Sequence, residues 1–214
     1  MTAMQTDPGG LRLLLARHGA TAWNDAGRYQ GRTDLPLSVR GIAQAAHLGQ
    51  WLHAEQPVAI IHSGSQRTTD TISHAIPVFA APVVADQRWG EIDHGDWEGL
   101  TYRDLIAQHP QQAHAHWADP WHIAAPQGET LAQVSARVQA ATVDLLASYA
   151  GRTVLLVAHA TSLQLLLCRL LGTPETQYWR WKLDLGSLSC LELYASGPIV
   201  NWLNRGYAPP PPCT

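Results

Sequence analysis

Arg17, His18 and Gly19 follow directly on the apolar run Leu13-Leu14-Leu15-Ala16. A guanidinium offers a planar fork of donors that suits phosphate. A neutral imidazole is a nucleophile or a proton shuttle at pH 7, and glycine lets the backbone turn tightly and a substrate approach. Alone, the tripeptide is a common accident of sequence. Three further segments repeat the pattern of an apolar run emptying into polar residues. His62-Ser63-Gly64-Ser65-Gln66-Arg67 follows Val58 to Ile61, and His159-Ala160-Thr161 follows Val154 to Ala158. Trp89 to Gly99 is a loop dense in carboxylates and aromatics, offering Glu91, Asp93, Asp96 and Glu98.

Strand-like runs are predicted at Leu11 to Arg17, Val58 to His62, Val83 to Ala85, Thr153 to Ala158 and Ser187 to Tyr194. Helices are predicted between them. Ser38 would cap Val39 to Ala54, with Ile42, Ala45, Ala46, Gly49 and Leu52 on one face. Shorter helices are read at Gln66 to Ala75 and at Thr101 to Gln108, the latter stopped by Pro110. Glu129 to Tyr149 is long and amphipathic, with Leu131, Val134, Val138, Val143 and Leu146 toward a core. Thr161 to Leu171 ends at Gly172 and Pro174. Strands alternating with helices predict an α/β three-layer sandwich, a mostly parallel sheet with helices on both faces. Parallel strands share one direction, so Arg17, His18, Arg67 and His159 should emerge at one sheet edge, where α/β sheets bind ligands. Two arginines, two imidazoles and helix N-termini there suit a phosphate dianion.

The 214 residues are 46% hydrophobic and 14% charged, the balance of one ordinary globular domain. We read residues 1–10 as a disordered N-terminus, 11–206 as a single domain, and 207–214 as a Pro-rich tail. A net charge of −3 gives no footprint for nucleic acid or an anionic membrane. Leu11 to Ala16 is too short for a signal or membrane segment. Cys168, Cys190 and Cys213 form no paired spacing, which suits a reducing cytoplasm. His109 to Gly128 is an irregular, lid-like insertion whose Trp117 and Trp121 lean toward a substrate mouth. His109, His114, His116 and His122 match no compact ligand pattern, so no metal and no cofactor is expected.

Arg17 to Asn24, Gly27 to Ser38, Ser63 to Thr71, Gly90 to Gly99, Gly128-Glu129-Thr130 and Val157-Ala158-His159 together resemble the histidine phosphatase superfamily, the phosphoglycerate-mutase-like enzymes. The resemblance runs from Leu11 to about Tyr194, and its overall look is similar to the alpha-ribazole phosphatase type. Ala20 and Ala160 depart from it, standing where many members carry Glu and Gly. The resemblance implies that His18 takes the phosphoryl group as a phosphohistidine. It implies that Arg17, Arg67 and His159 hold the phosphoryl oxygens, joined by Asn24, the Gln30-Gly31 turn and Ala160. Glu91 would protonate the leaving oxygen and later activate water. Glu129 reads as a first-turn helix carboxylate complementing the dipole.

The expected partner is a small phosphorylated metabolite, with inorganic phosphate as product. A homodimer is left open. Mutases of the family carry a longer, basic insertion, whereas this chain has no Lys or Arg between Arg103 and Arg137. That favours a phosphomonoesterase. The alternatives are a phosphoglycerate mutase and a non-catalytic phosphate-binding protein.

Overall fold

The computed structural model describes residues 10–76 and 81–206. Almost all of the expected disordered start and the whole Pro-rich tail lie outside the described residues. In chain order the elements are β1 (Leu11–Arg17), α1 (Ala22–Asp25), α2 (Val39–Leu52), β2 (Ala59–His62), α3 (Gln66–Ala75) and β3 (Val83–Ala85). Then follow α4 (Tyr102–Gln108), α5 (Pro110–Ala118), α6 (Leu131–Ser148), β4 (Thr153–Ala158), α7 (Ala160–Leu171), β5 (Leu188–Tyr194) and β6 (Gly197–Arg205). Short 3-10 turns occupy Gln87–Trp89, Gly95–Trp97 and Glu175–Arg180.

One six-stranded sheet runs in the order β3-β2-β4-β1-β5-β6. The first four strands are parallel; β5 and β6 are added antiparallel at one side. Alternate residues of the central strands enter opposite cores, as strand pleating requires. Leu13, Leu15, Val154, Leu156 and Ala158 pack on α6 and α7, while Leu14, Ala16, Leu155 and Val157 pack on α2 and α3. Fully burying a leucine contributes about 2 kcal/mol, so near-continuous apolar β1 and β4 suit the doubly covered middle of the sheet. The register pairs Arg17 with Ala158 and His62 with Val157. The three strand ends therefore finish level.

Two faces differ from the expected ones. On α6 the buried residues are Leu131, Val134, Ser135, Val138, Ala141, Thr142 and Leu145, while Val143 and Leu146 are exposed. The helical stripe passes through small and hydroxylated positions, and Thr142 satisfies its hydroxyl on the Val138 carbonyl at 2.7 Å. On α2 the face is Gly41, Gln44, Ala45, Leu48 and Leu52, with Ile42 and Ala46 turned outward. Gly41 is there for closeness: a Cβ would stand 2.0 Å from the Ala20 carbonyl oxygen. At Gly19 a Cβ would in turn meet the Gly41 carbonyl oxygen at 2.5 Å, so the chain after β1 lies directly on α2.

The insertion expected to be irregular contains α5. Pro110 sits at the first helical position, where the missing N–H costs nothing, so the residue that stops α4 also starts α5. β6 was not expected either, because Pro198, Asn201 and Asn204 interrupt its pattern. Among the described residues no helix is long and apolar enough to cross a membrane.

Candidate functional site

His18 leaves the end of β1 with its backbone N–H donating to the Ala158 carbonyl of β4 at 3.1 Å. Its side chain is 3% exposed. The ring Nδ1 lies 2.7 Å from the Gly19 carbonyl oxygen, an atom that can only accept. Nδ1 therefore carries the proton and Nε2 keeps the lone pair. Burial, reinforced by Arg67 and then Arg17, holds this imidazole well below its usual pKa. It is neutral at pH 7 and has a defined nucleophilic atom.

His159 follows β4 and caps α7; its ring is fully buried and its centroid lies 5.0 Å from that of His18. Its Nδ1 accepts from Nε of Arg67 at 3.2 Å, so Nε2 is the protonated nitrogen and donates to Ser63 Oγ at 2.7 Å. Burial and then Arg67, His18 and Arg17 depress this imidazole too. The unfolded chain binds protons on both rings near their ordinary pKa of about 6.5, and the folded chain does not. Stability is thus intact above that pH and is lost as pH falls through it. We expect Tm to decline steadily from pH about 7.5 to about 5 in calorimetry; a flat profile would contradict the burial of two neutral imidazoles.

Arg67 lies in the first turn of α3 and is 1% exposed. Its Nη1 donates to the Thr33 carbonyl at 3.1 Å and Nη2 to the Gly31 carbonyl at 2.7 Å. Each terminal nitrogen retains a second N–H beyond these contacts. Arg17 donates from Nη1 to the Leu183 carbonyl at 2.7 Å, while its buried Nε–H finds no acceptor among the described residues. Burial lowers both arginines, opposed by the charge of Glu91. Glu91 is 8% exposed and accepts from the backbone N–H of Ile92 at 2.9 Å and of Thr161 at 3.2 Å. Its carboxylate therefore meets the positive end of α7.

Gly31, Arg67, Glu91 and His159 line one cavity of about 210 Å³, together with Arg32, Ser63 and Gln87 among others. His18 adjoins it through His159. Ala160 is the first residue of α7. Asn24 and Gln30 are tied into the loop instead. Asn24 Oδ1 accepts from the Thr21 backbone N–H at 3.0 Å as part of a capping box, and Gln30 Oε1 accepts from Thr21 Oγ1 at 2.7 Å. Gly31 admits no side chain, since a Cβ would lie 2.3 Å from the Ile92 carbonyl oxygen.

Glu129 is not a helix carboxylate. Thr130 caps α6, and Glu129 before it accepts from Arg137 Nε and Nη2 at 3.0 and 2.9 Å and from the Asp93 backbone N–H at 3.0 Å. Arg137 donates onward to the carbonyls of Arg88, Gly90 and Glu91. This pair fastens the Glu91 loop to α6. Neither this fastening nor the hold of Ser63 on His159 was read from the sequence. The hydroxyl's position straight after β2 was the available signal.

Two strand-end imidazoles, the buried Arg67, the partly buried Arg17 and the Glu91 carboxylate thus gather at one end of the α/β sheet. The chain belongs to the histidine phosphatase superfamily (branch 1), whose description it matches over residues 13–206. It is 36% identical over 187 residues to the bifunctional protein Rv2228c of Mycobacterium tuberculosis, covering 87% of this chain and 51% of that protein. It thus spans about half the length of that relative. A probable phosphoglycerate mutase GpmB of Yersinia pestis is 32% identical over 197 residues, 92% of this chain and 90% of that one. The alpha-ribazole phosphatase of Shigella flexneri superposes with a TM-score of 0.84 at 30% identity, covering 90% of this chain and 96% of that one.

Proposed function

We propose that this protein is a phosphomonoesterase that hydrolyses a small phosphorylated metabolite through a phosphohistidine on His18, with no metal required by the chemistry. One observation carries this reading: a buried, neutral His18 with Nδ1 committed to the Gly19 carbonyl, beside His159, the buried Arg67 and the partly buried Arg17. Nε2 attacks phosphorus in line and the ester P–O bond breaks. Charge developing on the equatorial oxygens is met by donors of Arg67 and Arg17, whose Nε–H would gain the acceptor it lacks. The Nε2–H of His159 can turn from Ser63 Oγ to a phosphoryl oxygen. Glu91 acts as the acid when it enters the cycle protonated: it gives that proton to the departing alkoxide and, left as the carboxylate, takes one from the water that attacks the phosphohistidine, which restores the acid. Alcohol and inorganic phosphate leave.

The mutase reading requires cations for a second anionic group of the substrate. The stretch between Arg103 and Arg137 supplies none, which favours the hydrolase. Turnover of p-nitrophenyl phosphate in chelator-treated buffer tests the proposal, alongside interconversion of phosphoglycerates primed with the bisphosphate. Efficient interconversion with negligible hydrolysis would establish the mutase instead.

Glu91→Gln tests the acid. It should slow aliphatic esters by about 10²-fold or more while sparing aryl esters whose phenolate leaves unaided. Uniform slowing across a leaving-group series removes Glu91 from that role.

A further inference from the structure

Glu98 has no part in the hydrolysis proposed for this site, although it stands in the same loop as Glu91. It follows the 3-10 turn Gly95–Trp97, where its backbone N–H donates to the Gly95 carbonyl at 3.1 Å. From there the side chain reaches across to the turn after Gln30. Oε1 accepts from the Arg32 backbone N–H at 2.6 Å, and Oε2 from the Thr33 backbone N–H at 2.7 Å. One carboxylate thus holds two successive peptide groups through short, charge-assisted bonds, which are the strong kind. Burial opposes its ionisation, but hydrogen bonding by Thr33, Arg32 and His94 outweighs burial and holds the carboxyl below its usual range. Glycine at position 31 makes this approach possible, since a Cβ there would lie 2.5 Å from Oε1.

The opposite side of the same turn faces Arg67. The Gly31 carbonyl accepts from Nη2 at 2.7 Å and the Thr33 carbonyl from Nη1 at 3.1 Å. The peptide joining Gly31 to Arg32 is therefore engaged at both ends, its C=O by the guanidinium and its N–H by the carboxylate. In a planar trans peptide those two groups point in opposite directions, so a shift of the carboxylate is passed straight to the carbonyl. Each terminal nitrogen of Arg67 has one N–H fixed by a turn carbonyl, and the planar fork then sets the direction of the other. Asp34 closes the arrangement: its Oδ1 accepts from the Gln66 backbone N–H at 2.7 Å, one residue before Arg67.

We infer that Glu98 is a positioning residue for phosphoryl transfer: it fixes the Gly31 to Thr33 turn, and that turn aims the remaining N–H groups of Arg67 at the phosphoryl oxygens. The inference rests on the reading of Arg67 as a donor to the phosphoryl group. A misplacement of about 1 Å is enough to cost up to about 10²-fold in rate.

The test is a double-mutant cycle on p-nitrophenyl phosphate, with Glu98→Gln made in the intact protein and in Arg67→Ala. Gln keeps the shape and one acceptor but turns an amide NH₂ toward the second backbone N–H. In the intact protein it should lower kcat/KM by about tenfold, with most of the loss in kcat. In the Arg67→Ala background it should change kcat/KM by less than about twofold, because no guanidinium remains to be aimed. Glu98→Asp, taken through the same cycle, keeps the charge without the reach to both N–H groups and should behave as Gln does. A loss of about tenfold in both backgrounds makes Glu98 a general staple of its loop and overturns the inference. So does a Gln or Asp variant within about twofold of the intact protein. Either outcome, with Arg67→Ala itself strongly impaired, leaves the phosphatase reading standing. An Arg67→Ala protein as active as its parent removes the role of Arg67 and the inference together.

Discussion

His18→Ala is expected to lower kcat on p-nitrophenyl phosphate by about 10⁴-fold or more, the loss typical of removing a covalent nucleophile. The remaining donors would still bind the phosphate group, so KM should change far less. The structural ground is the division of labour on one ring: Nδ1 is committed to Gly19, which leaves the lone pair on Nε2 for the proposed attack. Alkaline rapid quench with radiolabelled ester should trap label on the intact protein and none on the variant, because a phosphohistidine survives base. Turnover within about tenfold of the parent would show that water, not this imidazole, attacks phosphorus.

Arg67 should be the second most costly loss. Arg67→Ala is expected to reduce kcat/KM by about 10²- to 10³-fold through lost charge stabilisation at the phosphoryl group. It also strands the Gly31 carbonyl and His159 Nδ1 and leaves the Thr33 carbonyl with Gln30 Nε2 at 3.3 Å as its donor. Each buried polar group left unpaired costs about 1–3 kcal/mol, so Tm should fall by roughly 5 °C or more. Arg67→Lys should fail to restore either quantity, because a point ammonium cannot span three divergent acceptors. Near-parental kcat/KM in the Lys variant would mean that only net charge matters here. Kinetics and melting measured on both variants decide it.

The sheet and the converging residues were legible because they rest on signals written locally. Apolar runs of β1, β2 and β4 end in polar residues within two positions of one another, and Ser38 and Gly172 punctuate their helices as expected. The gathering of Arg67, His159 and Glu91 around one cavity beside His18 follows from that shared direction. Illegible features depend on partners distant in the chain. The Glu129–Arg137 clamp needs the Glu91 loop folded beside α6 before its meaning exists. Pro110 carried two readings, stop and start, and periodicity alone selected the first. On α6 the inward stripe ran through Ala141 and Thr142, which hydrophobic counting passes over in favour of Val143.

The level finish of β1, β2 and β4 makes this enzyme intolerant of length changes inside its strands while leaving its loops free to drift. One extra residue in β4 would advance His159 by about 3.3 Å and turn the following side chains to the opposite face. That step rivals the 5.0 Å between the two rings. Evolutionary tinkering with substrate choice is therefore channelled into segments such as the Trp-bearing insertion, which lies outside the strands that carry the imidazoles.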